Sequence, residues 1–137
     1  MDTAKRDQLV ARLNAGGEEN LPLLTLEEFF EGNDDRGSIW CNVDAPEMTE
    51  IFGILRTIRE REDVSDVRVM LTQFDGMEDE WPFSDTIFII GRISPEEVAT
   101  AIGPSCAPDT CEISPDFFVG ESVAVPDAQH IVYCWWD

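Results

Sequence analysis

Residues 87–90 read Ile-Phe-Ile-Ile, bounded by Asp85-Thr86 before and Gly91-Arg92 after. The run is too short for a helix and does not alternate polar with apolar. It therefore predicts a strand over 85–92 that is buried on both faces. Two other segments share the sheet-forming character. From Val64 to Phe74, Val67, Val69 and Leu71 face one way while Arg68, Met70 and Thr72 face the other. From His130 to Trp136 the sequence HIVYCWW is apolar enough to lie inside a sheet. A fourth alternation, SIWCNV, covers Ser38–Val43.

Helices are expected between these strands. Asp44-Ala45-Pro46-Glu47 reads as a helix start, with Asp capping, Pro in the first turn and Glu closing the box. Met48, Ile51, Phe52, Leu55 and Ile58 then form one apolar face of a helix reaching about Glu62. Ser94-Pro95-Glu96-Glu97 starts a second helix that ends near Ile102. Before the first strand, residues 3–14 carry an apolar stripe of Leu9, Val10 and Leu13. Thr25-Leu26-Glu27-Glu28 is a capping box for a short helix that Gly32 is placed to stop. Residues 103–128, with four prolines, read as irregular.

From Ser38 the order is strand, helix, strand, strand, helix, strand. That is the split βαβ order of a ferredoxin-like fold, so the expected architecture is α+β: a ferredoxin-like βαββαβ core with a four-stranded antiparallel sheet. The last strand would pair with the first. Residues 1–36 would be a helical extension to the 37–137 core, covering the open sheet face that otherwise exposes Trp40, Met70 and one C-terminal Trp. With 137 residues and 43% apolar composition, one domain with a packed core is expected.

Charge narrows function more than any motif does. The chain has 29 acidic residues against 9 basic ones, a net charge of −20. Such a surface repels nucleic acid and anionic lipid and attracts basic partners and cations; solubility or adaptation to high salt is the plainer reading of the same number. The N-terminus has no apolar stretch of signal-peptide length, and no window approaches the roughly 18–20 apolar residues of a membrane helix, so a cytoplasmic protein with reduced thiols is expected.

The densest acidic stretch is EDEWPFSDT, 78–86. Asp75, Glu78, Asp79 and Glu80 in the 75–84 loop between the second and third strands, with Asp85 just after it, supply five carboxylates in eleven residues with no compensating base. Two readings exist. The loop could dock onto a basic protein with Trp81 and Phe83 as anchors. Alternatively Trp81 and Phe83 fold back on the core, Pro82 stiffens the turn, and Ser84 or Asp85 bonds loop backbone; this structural reading is the favoured one. A second cluster, Glu27, Glu28, Glu31, Asp34 and Asp35, offers oxygen ligands but lacks the spacing of a calcium loop. Candidate docking residues are thus Glu78, Asp79, Glu80, Trp81, Phe83, Asp85, Asp34 and Asp35.

Cys41, Cys106, Cys111 and Cys134 could make a four-thiolate zinc site, with Cys41 and Cys134 on adjacent strands, but small core residues are the simpler reading for that pair. His130 and Cys134 are four residues apart on one strand, about 13 Å by strand rise, so they cannot form a catalytic pair. Phosphate loops, nucleophile elbows and paired metal histidines are absent from the sequence.

EEFFEGNDDRGSIWCN at 27–42, EWPFSDT at 80–86, SPEEVA at 94–99 and the terminal WWD resemble a group of small acidic bacterial proteins of unknown function. The resemblance runs from about Leu23 onward. It implies a bacterial cytoplasmic setting and one self-contained domain, and it carries over no catalytic or binding residue. The resulting expectation is a non-enzymatic interaction module for a basic protein, immunity or inhibitor in type, with no cofactor, metal, nucleic acid or membrane. A metal- or small-ligand-dependent enzyme and a structural homodimer are the alternatives.

Overall fold

The computed structural model describes residues 1–16, 23–39, 46–71, 80–114 and 125–136. These residues form four α-helices and one five-stranded antiparallel sheet, an α+β fold. The elements are α1 (Thr3–Gly16), β1 (Leu23–Thr25), α2 (Leu26–Phe30), α3 (Met48–Arg59), β2 (Val64–Met70), β3 (Thr86–Gly91), α4 (Pro95–Ile102), β4 (Thr110–Ile113) and β5 (His130–Trp135). The sheet order is β1-β2-β3-β5-β4.

Every residue of β3 is buried, as the unbroken apolar run requires. The pleat divides its side chains. Ile87 and Ile89 enter the main core with Val67 and Val69 of β2 and Val132 and Cys134 of β5. Phe88 and Ile90 join Leu23 and Ile131 in a second cluster on the opposite face, with Met70 and Tyr133 against it.

This sheet differs from the expected four-stranded ferredoxin-like arrangement. There the 38–43 strand would lie between the last strand and the 85–92 strand. Here β5 pairs directly with β3, Ile87 opposite Cys134 and Ile89 opposite Val132. Its other edge is taken by β4. Both hydrogen-bonding edges of β5 are therefore occupied, and no strand fits between β5 and β3. Of the expected 38–43 strand, Ser38 ends a 3-10 turn that spans Arg36–Ser38 and Ile39 makes an isolated parallel bridge to Ser84; the rest lies outside the described residues. Two short edge strands, β1 and β4, were not anticipated.

The N-terminal helices also take a different place. Leu9 and Leu13 of α1 and Leu26, Phe29 and Phe30 of α2 pack in the main core with Ile51, Leu55 and Ile58 of α3. They lie on the same side as α3, while β1 extends the sheet. Phe30 stacks on Phe52 of α3 at 5.2 Å between ring centroids.

Local signals hold where the cap chemistry is complete. Thr25 Oγ1 accepts from Glu28 N at 3.1 Å and Glu28 Oε1 accepts from Thr25 N at 3.0 Å, the expected box. Ser94 accepts from Glu97 N ahead of Pro95. Gly32 follows α2 with φ +82°, the left-handed conformation that glycine takes without a Cβ penalty. The start of α3 is later than expected: Glu47 occupies the cap position and makes no side-chain cap bond, so it does not close a box; Asp44 lies outside the described residues.

Two glycines give opposite predictions. A Cβ on Gly91 would stand 2.2 Å from the Asp63 carbonyl oxygen, beside the register shift at Val64/Asp66. Gly91→Ala is expected to cost about 1–3 kcal/mol through forced backbone movement. Gly53, inside α3, has nothing within 4 Å of its would-be Cβ. Gly53→Ala is expected to add about 0.5–1 kcal/mol. Urea denaturation of both variants checks the pair; equal effects would contradict the close approach at Gly91.

The cap supplies a pH test. Burial pushes the Glu28 carboxyl up, but hydrogen bonds from the Thr25 amide and the Arg12 guanidinium outweigh it and hold the group below the usual carboxylate value. A depressed folded-state value means the contribution is present at neutral pH and lost as pH falls through the acid range. Glu28→Gln is expected to cost about 1 kcal/mol at pH 7, with the deficit vanishing below the ordinary carboxylate range. A pH-independent deficit in thermal melts would contradict the assignment.

Candidate functional site: an acidic end

The two acidic segments singled out in the sequence meet in space. The turn after α2 is built by its own side chains. Asn33 Oδ1 accepts from Asp35 N at 2.9 Å, and Asn33 Nδ2 donates to Ser38 Oγ at 2.9 Å. Asp35 Oδ1 accepts from Gly37 N at 3.0 Å, and Asp35 Oδ2 accepts from Trp81 N at 3.1 Å. Three residues further along, Ser84 N donates to the Ser38 carbonyl at 2.9 Å. The turn at 33–38 and the segment 80–85 are thus stitched side by side.

The second segment is held down as the structural reading expects. Trp81 is 2% exposed and lies in the main core. Its indole N–H has no partner among the described residues. Arg6 of α1 is buried and donates from Nε to the Glu80 carbonyl at 2.9 Å. Ser84 is fully buried and donates to the Met70 carbonyl at 2.7 Å. Asp85 accepts from Thr86 Oγ1 at 2.8 Å and from Trp135 Nε1 at 3.3 Å, and its carbonyl accepts from Trp136 N at 3.0 Å.

The candidate residues therefore separate. Trp81 is core and offers no surface to a partner. Phe83 is half-buried. Asp35 and Asp85 spend oxygens on the fold itself. Asp34, whose side chain is 75% exposed and accepts from the N-terminal ammonium at 3.0 Å, and Glu80 remain at the surface. Glu78 and Asp79 lie outside the described residues.

Most of the chain's cations are spent internally. Lys5 faces Glu31, Arg6 faces Asp7, Arg12 faces Glu28, Arg36 faces Glu47, Arg59 faces Glu27, Arg61 faces Asp63 and Glu97, and Arg68 faces Asp66. Arg56 lies over the Phe52 ring, 5.1 Å from its centroid. Exposed pairs of this kind add little stability. Their consequence is electrostatic, since few cations are left to offset the surplus carboxylates. The Glu27, Glu28 and Glu31 cluster, considered above for oxygen-ligand chemistry, is matched by Arg59, Arg12 and Lys5 instead. Among the described residues no three His, Cys, Asp or Glu side chains converge where a metal ion could sit.

A groove of about 660 Å³ runs between α3 and α4, lined by Glu50, Gly53, Ile54, Thr57, Ile58, Arg61 and Ala101. Its guanidinium is already bound by Asp63 and Glu97. His130 donates from Nε2 to the Ile93 carbonyl at 2.7 Å, a strand-start contact.

The thiols fall where the sequence did not place them. Cys134 lies opposite Cys111 across β5 and β4, with the two sulfurs 3.6 Å apart. Cys41 is outside the described residues. Cys106 is buried, its thiol pushed up by burial, and its carbonyl accepts from Trp136 Nε1 at 2.8 Å. Missing β4 hid the Cys111–Cys134 pairing.

Fold and surface together define a small acidic α+β protein whose described residues include no helix long and apolar enough to cross a membrane. The chain belongs to the bacterial family described as "Uncharacterized protein YfbO family", whose model matches residues 4–135. It is 42% identical over 140 residues to "Uncharacterized protein YfbO" of Escherichia coli (strain K12), covering 96% of this chain and 97% of that protein. No solved structure matches it.

Asp35 and Asp34 make a direct comparison. Asp35→Ala removes the acceptor for two backbone amides, one of them at the core residue Trp81, and is expected to cost about 1–3 kcal/mol. Asp34→Ala is expected to stay within about 0.5 kcal/mol. Chemical denaturation checks this, and similar losses for both would contradict the clamp.

Proposed function

We propose that the protein is a non-enzymatic, cytoplasmic interaction module that binds a basic protein partner through its acidic end. The observation that carries the reading is the internal use of its cations. Seven of the nine basic side chains face carboxylates of the same chain. The surplus negative charge is left outward, and Asp34 and Glu80 stand exposed where two ordered acidic segments join, Asp34 sharing its charge with the N-terminal ammonium. A rigid acidic face steers a cationic partner into encounter and loses little order on binding. Neutralising a cationic toxin or enzyme, as an immunity or inhibitor protein does, is one form of this role.

A second reading, a homodimer through the sheet, draws on the terminal strand β4. Ile113 there is 55% exposed, and Trp135 on the neighbouring strand is 37% exposed. Light scattering on the eluting protein separates the two: a monomer at working concentration removes the homodimer.

The test of the first reading is capture from host lysate at low salt with elution along a salt gradient. One stoichiometric basic protein leaving at moderate salt is the expected result. With that partner in hand, Asp34→Lys with Glu80→Lys is expected to weaken binding by about tenfold or more, mostly through association rate. Glu60→Lys, at the end of α3, serves as the control. Equal loss from the control would contradict a localised face, and scattered basic background with no defined partner would sink the reading.

A further inference from the structure

The Cys111–Cys134 contact has the geometry of a dithiol waiting to close. Ser114 N donates to the Ile131 carbonyl at 2.7 Å. In the β4–β5 register, Glu112 faces Tyr133 and Cys111 faces Cys134. Hydrogen-bonded and non-hydrogen-bonded pairs alternate along an antiparallel ladder, so Cys111–Cys134 falls on a narrow, non-hydrogen-bonded step. Such steps bring α-carbons to about 4.5 Å, at the short end of the range that a disulfide spans. The sulfurs, now 3.6 Å apart, need only side-chain rotation to reach a bond of about 2.05 Å.

We propose that Cys111 and Cys134 are a redox-active pair that closes to a disulfide by exchange with a low-molecular-weight disulfide of the glutathione class. Exposure divides the roles. Cys111 is half-buried on the terminal strand β4, its thiol donating to the Pro95 carbonyl at 3.2 Å, whereas Cys134 is fully buried between β3 and β4. Cys111 is the attacking sulfur and Cys134 the resolving one. The hydrogen bond from Cys134 holds the Cys111 thiol below its ordinary value, against burial and the nearby Glu96 and Glu112 carboxylates. The same bond, with burial, pushes Cys134 up. Thiolate character therefore gathers on the accessible sulfur, as exchange chemistry requires.

The steps balance. Cys111 loses its proton to solvent, and its thiolate attacks one sulfur of the small disulfide. That S–S bond breaks, one glutathione thiolate leaves and takes up a proton, and a mixed disulfide remains on Cys111. Cys134 Sγ then attacks Cys111 Sγ, the mixed S–S bond breaks, and the second glutathione thiolate leaves with the Cys134 proton. Two protein thiols are oxidised, and one small disulfide is reduced to two thiols. The bridge would clamp the terminal strand β4 to β5.

The experiment is incubation of the full chain with oxidised glutathione, acid quench, alkylation of remaining thiols and mass mapping. The expected product has lost two hydrogens, carries no glutathione, and joins the peptides of Cys111 and Cys134; dithiothreitol restores it. In Cys134→Ala the reaction is expected to stop at a single glutathione adduct on Cys111. In Cys111→Ser no adduct forms on Cys134. Four alkylatable thiols in the oxidised wild type, a bridge mapped to another pair, or a persistent wild-type adduct on Cys111 would each overturn the proposal. The wild-type map decides the matter even where a variant fails to fold.

Discussion

The double burial of β3 is the constraint on which the rest of the structure depends. Four large side chains, Ile87, Phe88, Ile89 and Ile90, point alternately to two apolar clusters. Each is worth about 1.5–3 kcal/mol when withdrawn from water, so the strand must be paired on both edges and covered on both faces. Its ends are pinned by sterics and hydrogen bonds. At one end Gly91 admits the Asp63 carbonyl where no side chain would fit. At the other, buried Ser84 donates to the Met70 carbonyl and so ties β3 to β2. A one-residue slip would turn every one of these side chains to the wrong face.

Both proposed features hang on the strand that β3 selects as its neighbour. β5 delivers Trp135 and Trp136 to Asp85, closing the acidic end, and delivers Cys134 to Cys111 on its other edge. The acidic end itself owes its order to carboxylates and amides used in pairs. Asp35 joins two backbone amides from segments far apart in sequence, leaving neighbouring Asp34 and Glu80 at the surface. Asp35 is spent on the fold, while Asp34 stays solvent-exposed beside the N-terminal ammonium, and that exposed acidic edge is the basis for proposing a docking face there.

Much of this was legible from residue patterns. The unbroken run in β3, the alternation in β2 and the apolar last strand all report burial by the side-chain period alone, and they lie where expected. So do the capping box at Thr25 and the side-chain cap at Ser94, because cap chemistry is local. The structural reading of the acidic loop holds for Trp81, which is buried, and only in part for Phe83, which is half-buried. Strand order was not legible. Two edge strands of three and four residues, Leu23–Thr25 and Thr110–Ile113, carry too little pattern to announce themselves. Without β4 the last strand had only the first left to pair with, and the topology went to the ferredoxin-like order. The same omission hid the thiol pair, because Cys111 looked like part of a proline-rich loop. Pairing between segments of distant sequence is a property of the whole sheet, and single-strand periodicity does not encode it.

The register of β5 between β3 and β4 is the central structural claim, because the acidic end and the thiol pair both follow from it. Antiparallel non-hydrogen-bonded pairs bring their α-protons into close contact. Nuclear Overhauser spectroscopy on labelled, reduced protein measures that contact directly. A strong Hα–Hα cross-peak between Cys111 and Cys134, with another between Ile113 and Val132, is the predicted result. Cross-peaks displaced by one residue, or joining Cys134 to a different strand, would contradict the account.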